Sequence, residues 1–294
     1  HHADYELQVG FKGVIEGTLP IGGLSSSAAI IILYLRALCD LNNIKLDRDQ
    51  LVALAHYAEA VYIGLNNGIL DQSCEVYSKK DGLLFLDTRD SSYKVIPQPK
   101  RMPHYEFAIV FSGVEHALIN SAYNSRVDEC KAAAYALKAY AGMPYDKVAD
   151  SVLGDIAPEI YEKYKKKLPH NWQKRAEHFY SEVERVRQGV EAWRKGDLHA
   201  FGQLVFASGD SSINNYESGS PELKKLHEIA RHTDGIYGGR FSGAGFKGCY
   251  MAIIDPRYEQ KIARAFQEEY LEAFPELAPR FSVHFSHSAD GVKL

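Results

Sequence analysis

Residues Val9 to Leu19 alternate. Val9, Phe11, Ile15 and Leu19 share one face of a two-residue period, and Lys12, Glu16 and Thr18 share the other, which predicts a half-buried strand. From Ala28 to Leu41 the chain is almost continuously apolar, about four turns of a buried helix. Between the two, Pro20 stops the strand, and Gly22 and Gly23 permit dihedrals or close approach that other residues resist. Ser25, Ser26 and Ser27 then open the helix.

Further along, Arg48 to Gly64 reads as a helix with Leu51, Leu54, Ala55, Ala58 and Val61 on one side, broken by Asn66-Asn67-Gly68. Leu83 to Leu86 is a short strand after the turn Lys80-Asp81-Gly82. Pro97, Pro99 and Pro103 then mark a boundary near Lys100. Phe107 to Phe111 reads as a buried strand, Ala122 to Tyr140 as an alanine-rich helix, and Gly142 to Pro169 as polar and less regular. Helices follow at Trp172 to Lys195, Leu198 to about Ser208, and Pro221 to His232. The glycine-rich stretch Gly235 to Gly248 leads into a strand at Cys249 to Ile254, a helix at Tyr258 to Glu272 and a closing strand at Phe281 to Phe285. Helices and strands in both halves predict an α+β protein with layered sheets.

The length of 294 residues suits two domains. With 46% apolar and 24% charged residues and a net charge of −4, the chain reads as soluble and globular, with no basic excess for nucleic acid. The basic run Lys165-Lys166-Lys167 reads as a solvated helix end. Cys39, Cys74, Cys130 and Cys249 show no metal-ligand spacing and suit reduced, cytoplasmic thiols. No signal peptide and no membrane-length apolar span is visible, so no membrane is expected as a partner.

A glycine turn running into a hydroxyl-rich helix start offers free N–H groups and a positive dipole end to a phosphate. The same residues also describe a plain strand–turn–helix with serine capping. The loop is not a Walker A motif, since Gly-Lys-Ser/Thr occurs nowhere. Asp71, beside the turn at Gly68, is either a turn-capping carboxylate or a group that orients or deprotonates an acceptor hydroxyl in phosphoryl transfer. Glu59 is either a surface glutamate or, with Ser27, part of a magnesium site built on hard oxygen ligands. The stretch Gly238 to Gly248 carries five glycines around Phe241 and Phe246, which suits backbone packed closely against a ligand or another loop. The histidines form no HExxH motif and read as structural or surface residues.

Taken together these segments resemble the galactokinase family of the GHMP kinase superfamily. Pro20 to Ala29 is similar to the family's phosphate loop. Gly68-Ile69-Leu70-Asp71-Gln72 resembles the segment that carries its catalytic aspartate. His116 to Cys130, with Ser121, Tyr123, Asn124, Arg126 and Glu129, resembles a further galactokinase signature. Arg240 to Cys249 is similar to the family's third motif, and Asp290-Gly291 also has a counterpart. The resemblance implies a two-domain GHMP kinase fold, with a part related to domain 2 of ribosomal protein S5 over residues 1–100 and a ferredoxin-like domain over 101–294. It implies that Gly22, Gly23, Leu24, Ser25, Ser26, Ser27 and Ala28 hold ATP, with Gly243 and Gly245 supporting the site. Ser27 and Glu59 would lie near Mg²⁺. Asp71 would act on the anomeric hydroxyl of a galactose-type sugar, and Gly68 and Tyr123 would contact that sugar.

Two departures qualify the resemblance. The family's opening motif, Arg-Val-Asn-Leu-Ile-Gly-Glu-His, is absent, and it would precede His1. It supplies an arginine that would lower the aspartate pKa and neutralise developing charge. Either a piece precedes this chain or the chain is a fragment, and starting at His1 it is expected not to be fully active. In addition, Lys247 stands where galactokinases usually carry glycine. With Tyr62 to Gly68 and Ala207 to Ser212, this resembles the plant-type galacturonokinase branch, whose substrate carboxylate needs a cation or good donors. Galactose and galacturonate both remain open as substrates. The alternatives are a catalytically silent sugar and ATP sensor on the same fold, or another GHMP kinase such as one for mevalonate. The motifs at Gly68 to Gln72 and Tyr123 to Cys130 argue against the last. Oligomeric state is not legible.

Overall fold

The apolar run behind the serines folds as helix α1 (Ser26–Leu41), which packs with α2 (Arg48–Tyr57) and α3 (Leu70–Tyr77). Ile32, Cys39, Leu51, Val52, Ala55, Val76 and Tyr77 form the core among them. The computed structural model describes residues 5–17, 19, 24–64, 67–114, 120–145, 147–243, 245 and 248–293, with backbone alone at 120–124. The chain divides into two compact units, residues 1–100 with 287–294, and residues 101–286.

In the first unit, Asp47 and Gln50 start α2 with reciprocal side-chain and backbone hydrogen bonds, a capping box. Beyond α3 an antiparallel hairpin pairs β1 (Gly82–Asp87) with β2 (Ser92–Pro97). The Tyr77 and Tyr93 rings stack with centroids 3.8 Å apart, and the Tyr77 hydroxyl donates to Asp49 at 2.8 Å, which joins the hairpin, α3 and α2. The sequence reading runs the second domain to Leu294, but residues 287–294 close on the first unit instead. Gly291 N–H donates to the Ser78 carbonyl and Val292 N–H to that of Glu75, each at 2.8 Å, and Val292 packs on the core.

The strand expected over Val9 to Leu19 is not formed. Among the described residues this stretch has no partner strand, and Leu7, Val9, Phe11, Val14, Ile15 and Leu19 are exposed, Val14 to 96%. Alternation supplies two faces but no hydrogen-bonding neighbour, and a strand needs both. The stretch is held by Asn42, whose Oδ1 accepts from Gln8 N–H at 2.7 Å and Val9 N–H at 2.9 Å. Phe11 also rests on Tyr34 at 5.7 Å between ring centroids.

The second unit is built on a four-stranded antiparallel sheet. Its chain order is β3 (Glu106–Phe111), helices α4 (Asn120–Ala141), α5 (Pro158–Tyr164), α6 (His170–Arg194), α7 (Leu198–Asn214) and α8 (Pro221–His232), then β4 (Ile236–Phe241), β5 (Cys249–Ile254), α9 (Glu259–Ala273) and β6 (Ser282–Ser286). The spatial order β4-β5-β3-β6 gives the expected ferredoxin-like arrangement. One core joins the sheet to α8 and α9 through Val110, Tyr250, Leu226, Ile229, Phe266 and Tyr270. A second lies among α4, α5 and α6. There the stretch expected to be irregular supplies Leu153, Ile156, Tyr161 and Leu168 to the interior. Lys165 to Lys167 form a short 3₁₀ turn, with Lys165 and Lys167 over the Tyr161 and Tyr164 rings.

Strand β4 lies in a stretch whose glycines give no strand signal. They are there because α7 crosses at backbone distance, and a Cβ on Gly238 would sit 2.1 Å from the Gly202 carbonyl oxygen. Helix α7 likewise outruns the expected end near Ser208. The Ser212 hydroxyl donates to the Ser208 carbonyl at 2.9 Å and Ser208 to Glu182 at 2.8 Å, so buried serines are satisfied within the helix packing. All four cysteines are free thiols. No helix among the described residues is long and apolar enough to cross a membrane.

Candidate active site

Of the expected site residues in the first unit, Ser27 and Glu59 meet, and the Glu59 carboxylate also gathers Asn67 and Gln72. After Tyr57 the α-helix widens into a π turn over Ala58–Tyr62, with Ile63 N–H donating to the Ala58 carbonyl at 3.0 Å. The extra residue in the turn rotates the chain, and such turns recur at functional positions. Glu59 is thereby carried inward to 2% exposure, while Tyr62 stands out at 86%. Glu59 is therefore not the surface glutamate of the alternative reading.

Ser27, in the first turn of α1, donates its hydroxyl to Glu59 Oε1. The second oxygen, Oε2, accepts from Asn67 Nδ2 at 2.9 Å and from Gln72 Nε2 at 2.5 Å. His56 Nε2 lies 3.1 Å from the Asn67 carbonyl and ties that loop to α2. Asp71, in the first turn of α3, has no hydrogen bond or ion pair to a described residue. At the neighbouring Gly68 a Cβ would meet nothing within 4 Å, so the space over the turn is open.

The start of α1 is shaped for an anion. Its N-cap, Ser25, takes a left-handed conformation at φ 55° and makes no side-chain capping bond. Non-glycine residues reach that conformation at a cost of about 1–3 kcal/mol, and such strain concentrates at functional sites. Helical geometry leaves the first N–H groups without intrahelical acceptors. Leu24, Ser25, Ser26, Ser27 and Ala28 sit at this end, whereas Gly22 and Gly23 lie outside the described residues. Gly243 and Gly245 take left-handed φ values of 63° and 78° in the second unit. The side chain of Tyr123 lies outside the described residues.

Negative charge dominates the first unit's site. Glu75, one turn after Asp71 on α3, has its carboxyl pushed up to about 8 by burial, then by the charges of Asp71 and Glu59. The Cys74 thiol is pushed up to about 11 by burial and then by Asp71, so it stays protonated and unreactive at neutral pH. A folded-state value near 8 against an unfolded one near 4.5 means that the native protein keeps a proton the unfolded chain releases. Its stabilising contribution is complete below about pH 4.5 and is lost as pH rises through 8. Discounted for partial exposure, it amounts to about 1–2 kcal/mol. Urea midpoints at pH 5, 7 and 9 are expected to fall with rising pH in the native sequence and to flatten in Glu75→Gln. Parallel profiles in the two proteins would rule the proton out.

The donor set fits a divalent cation that keeps most of its own water. Ser27 and Glu59 present two hard oxygens side by side. Buried Asn67 Oδ1, Gln72 Oε1 and Glu75 Oε2 have no hydrogen-bond partner among the described residues. No group of three or more His, Cys, Asp and Glu residues able to hold a metal occurs among the described residues. Sequence reasoning missed Asn67, as well as Gln72 as a partner of Glu59. The quoted motif contains Gln72, but only the π turn brings Glu59 to it.

The chain matches known proteins along most of its length. Residues 2–79 match the GHMP kinases N terminal domain family and residues 190–272 the GHMP kinases C terminal family. A galacturonokinase of Arabidopsis thaliana is 38% identical over 92% of this chain and 64% of its own length. A galactokinase of Limosilactobacillus fermentum is 34% identical over 91% and 67%. The crystal structure of Lactococcus lactis galactokinase complexed with galactose superposes with a TM-score of 0.82 at 30% identity, covering 95% of this chain and 69% of that one. The chain thus spans about two thirds of the length of these relatives.

Proposed function

Because the chain belongs to the galactokinase family of the GHMP kinase superfamily, we propose that it transfers the terminal phosphoryl group of ATP to the anomeric hydroxyl of a galactose-type sugar. The observation that carries this reading is the buried Glu59 carboxylate, held from both oxygens by Ser27, Asn67 and Gln72, the last of these next in sequence to Asp71.

The start of α1 binds the phosphates through its free N–H groups and dipole. Asp71, with no partner among the described residues, orients the C1 hydroxyl and takes its proton as the sugar oxygen bonds to phosphorus and ADP departs. Ser27 and Glu59 would hold Mg²⁺, which when bound would supply positive charge to offset that of the phosphates. At Gly68 a Cβ would meet no described atom within 4 Å, which leaves room for the sugar ring.

The test is ADP release by the protein as the cell makes it, with ATP, Mg²⁺ and either D-galactose or D-galacturonate. Turnover with galacturonate places the protein beside its 38%-identical relative. Turnover with galactose places it with the 34%-identical one. Measurable sugar binding without turnover on either would overturn the kinase reading in favour of a sensor.

A further inference from the structure

We propose that Gln72, together with Asn67, is a positioning residue that aims the Glu59 carboxylate at the metal–nucleotide site; this rests on the kinase reading above. A carboxylate has about four acceptor directions. Two of those around Glu59 are taken on Oε2 by amide donors, Gln72 Nε2 at 2.5 Å and Asn67 Nδ2 at 2.9 Å. Oε1 is left facing Ser27, the other oxygen of the expected metal pair. Oε1 is therefore the oxygen turned to the ligand, and Oε2 anchors the group.

The orientation of both amides is set by Glu59. Turning either one over would bring its carbonyl oxygen against a carboxylate oxygen. In the orientation found, Gln72 Oε1 and Asn67 Oδ1 are buried without a partner among the described residues, and Gln72 is 0% exposed. Burying an unpaired carbonyl oxygen is costly, so a role confined to packing would favour an apolar side chain here. Two such atoms on the two residues that hold one carboxylate mark a group kept for what its donor side does. Groups that orient a metal ligand typically change metal affinity about 10–100-fold when removed.

The experiment is calorimetric titration of the protein with the β,γ-imido analogue of ATP, with and without Mg²⁺, for the native sequence, Gln72→Met and Asn67→Ala. Gln72→Met keeps the length and loses the donor. The expected result is that Mg²⁺ tightens analogue binding in the native protein and that each variant loses about 10–100-fold of that increment, while metal-free affinity stays unchanged. Turnover of Gln72→Met is expected to recover toward the native kcat at high Mg²⁺, which a simple loss of folded protein would not allow. An unchanged Mg²⁺ increment in folded Gln72→Met overturns the proposal. If Gln72→Met does not fold, the same increment surviving intact in Asn67→Ala overturns it. Native protein that shows no Mg²⁺-dependent binding sinks the kinase reading and this inference with it, and that failure is visible before any variant is made.

Discussion

Asp71→Asn is expected to lower phosphoryl transfer about 10²–10⁴-fold, the range for a lost general base, while leaving the protein folded. The side chain has no hydrogen bond or ion pair among the described residues, so the amide breaks no described contact. It also removes a negative charge from beside two other carboxylates. Asp71 is the larger of the two charges that hold the Glu75 carboxyl up near 8, so in the variant that carboxyl should move down toward its ordinary range. Stability near neutral pH should therefore stay level or rise slightly. The measurement is single-turnover ADP release beside a urea midpoint and a sugar-binding titration. Sugar binding should survive while the chemical step slows. A variant within tenfold of the native rate would remove Asp71 from the reaction, and a lowered urea midpoint would show a structural role for its carboxylate.

The parts of the fold legible in the sequence are those where hydropathy and burial agree. Ala28 to Leu41, Phe107 to Phe111, Pro221 to His232 and Cys249 to Ile254 are apolar or amphipathic runs, and each folds close to its expected bounds. Helix α3 was hidden because it inverts that agreement. Gln72 and Ser73 are fully buried while Leu70 is 56% exposed, as suits a helix whose polar side faces a functional interior. Strand β4 was hidden because close backbone contact with α7 demands glycine at Gly238. The residues from Val9 to Leu19 show the opposite error, a strand pattern with no described strand to pair with. In the site, Ser27, Glu59 and Asp71 were each readable from motif and chemistry. The meeting of Ser27 with Glu59 was not, because that contact spans 32 residues and depends on the π turn.

Arg175→Met is expected to destabilise the second unit by about 2–3 kcal/mol, a large share of the roughly 5–15 kcal/mol that holds a domain folded. Arg175, on α6, is 0% exposed, and all three of its nitrogens are used. Nε donates to Glu129 on α4 at 2.5 Å, Nη2 to Glu217 at 2.7 Å, and Nη1 to the Asn215 carbonyl just past α7. One guanidinium thus ties two helices and the exit of a third. Methionine fills a similar volume but removes the donor shared by two carboxylates and a carbonyl. Glu217 keeps Lys174 and Glu129 keeps Arg126, so the effect comes from losing three charge-assisted bonds at a buried point. Glu217 should report it directly. Lys174 and Arg175 hold its carboxyl down at about 2, and in Arg175→Met it should rise toward the ordinary range. A depressed carboxyl contributes stability above its unfolded value that is lost as pH falls through 2, so the variant should lose less on acidification than the native protein does. Lys174→Met is the control. Its 2.7 Å pair with Glu217 is partly exposed and should cost less than about 1 kcal/mol. Adding Glu129→Leu to Arg175→Met should restore part of the loss by removing a partly buried carboxylate whose shortest partner is gone. If urea unfolding shows Arg175→Met no worse than Lys174→Met, the buried network is not what holds α4, α6 and the exit of α7 together.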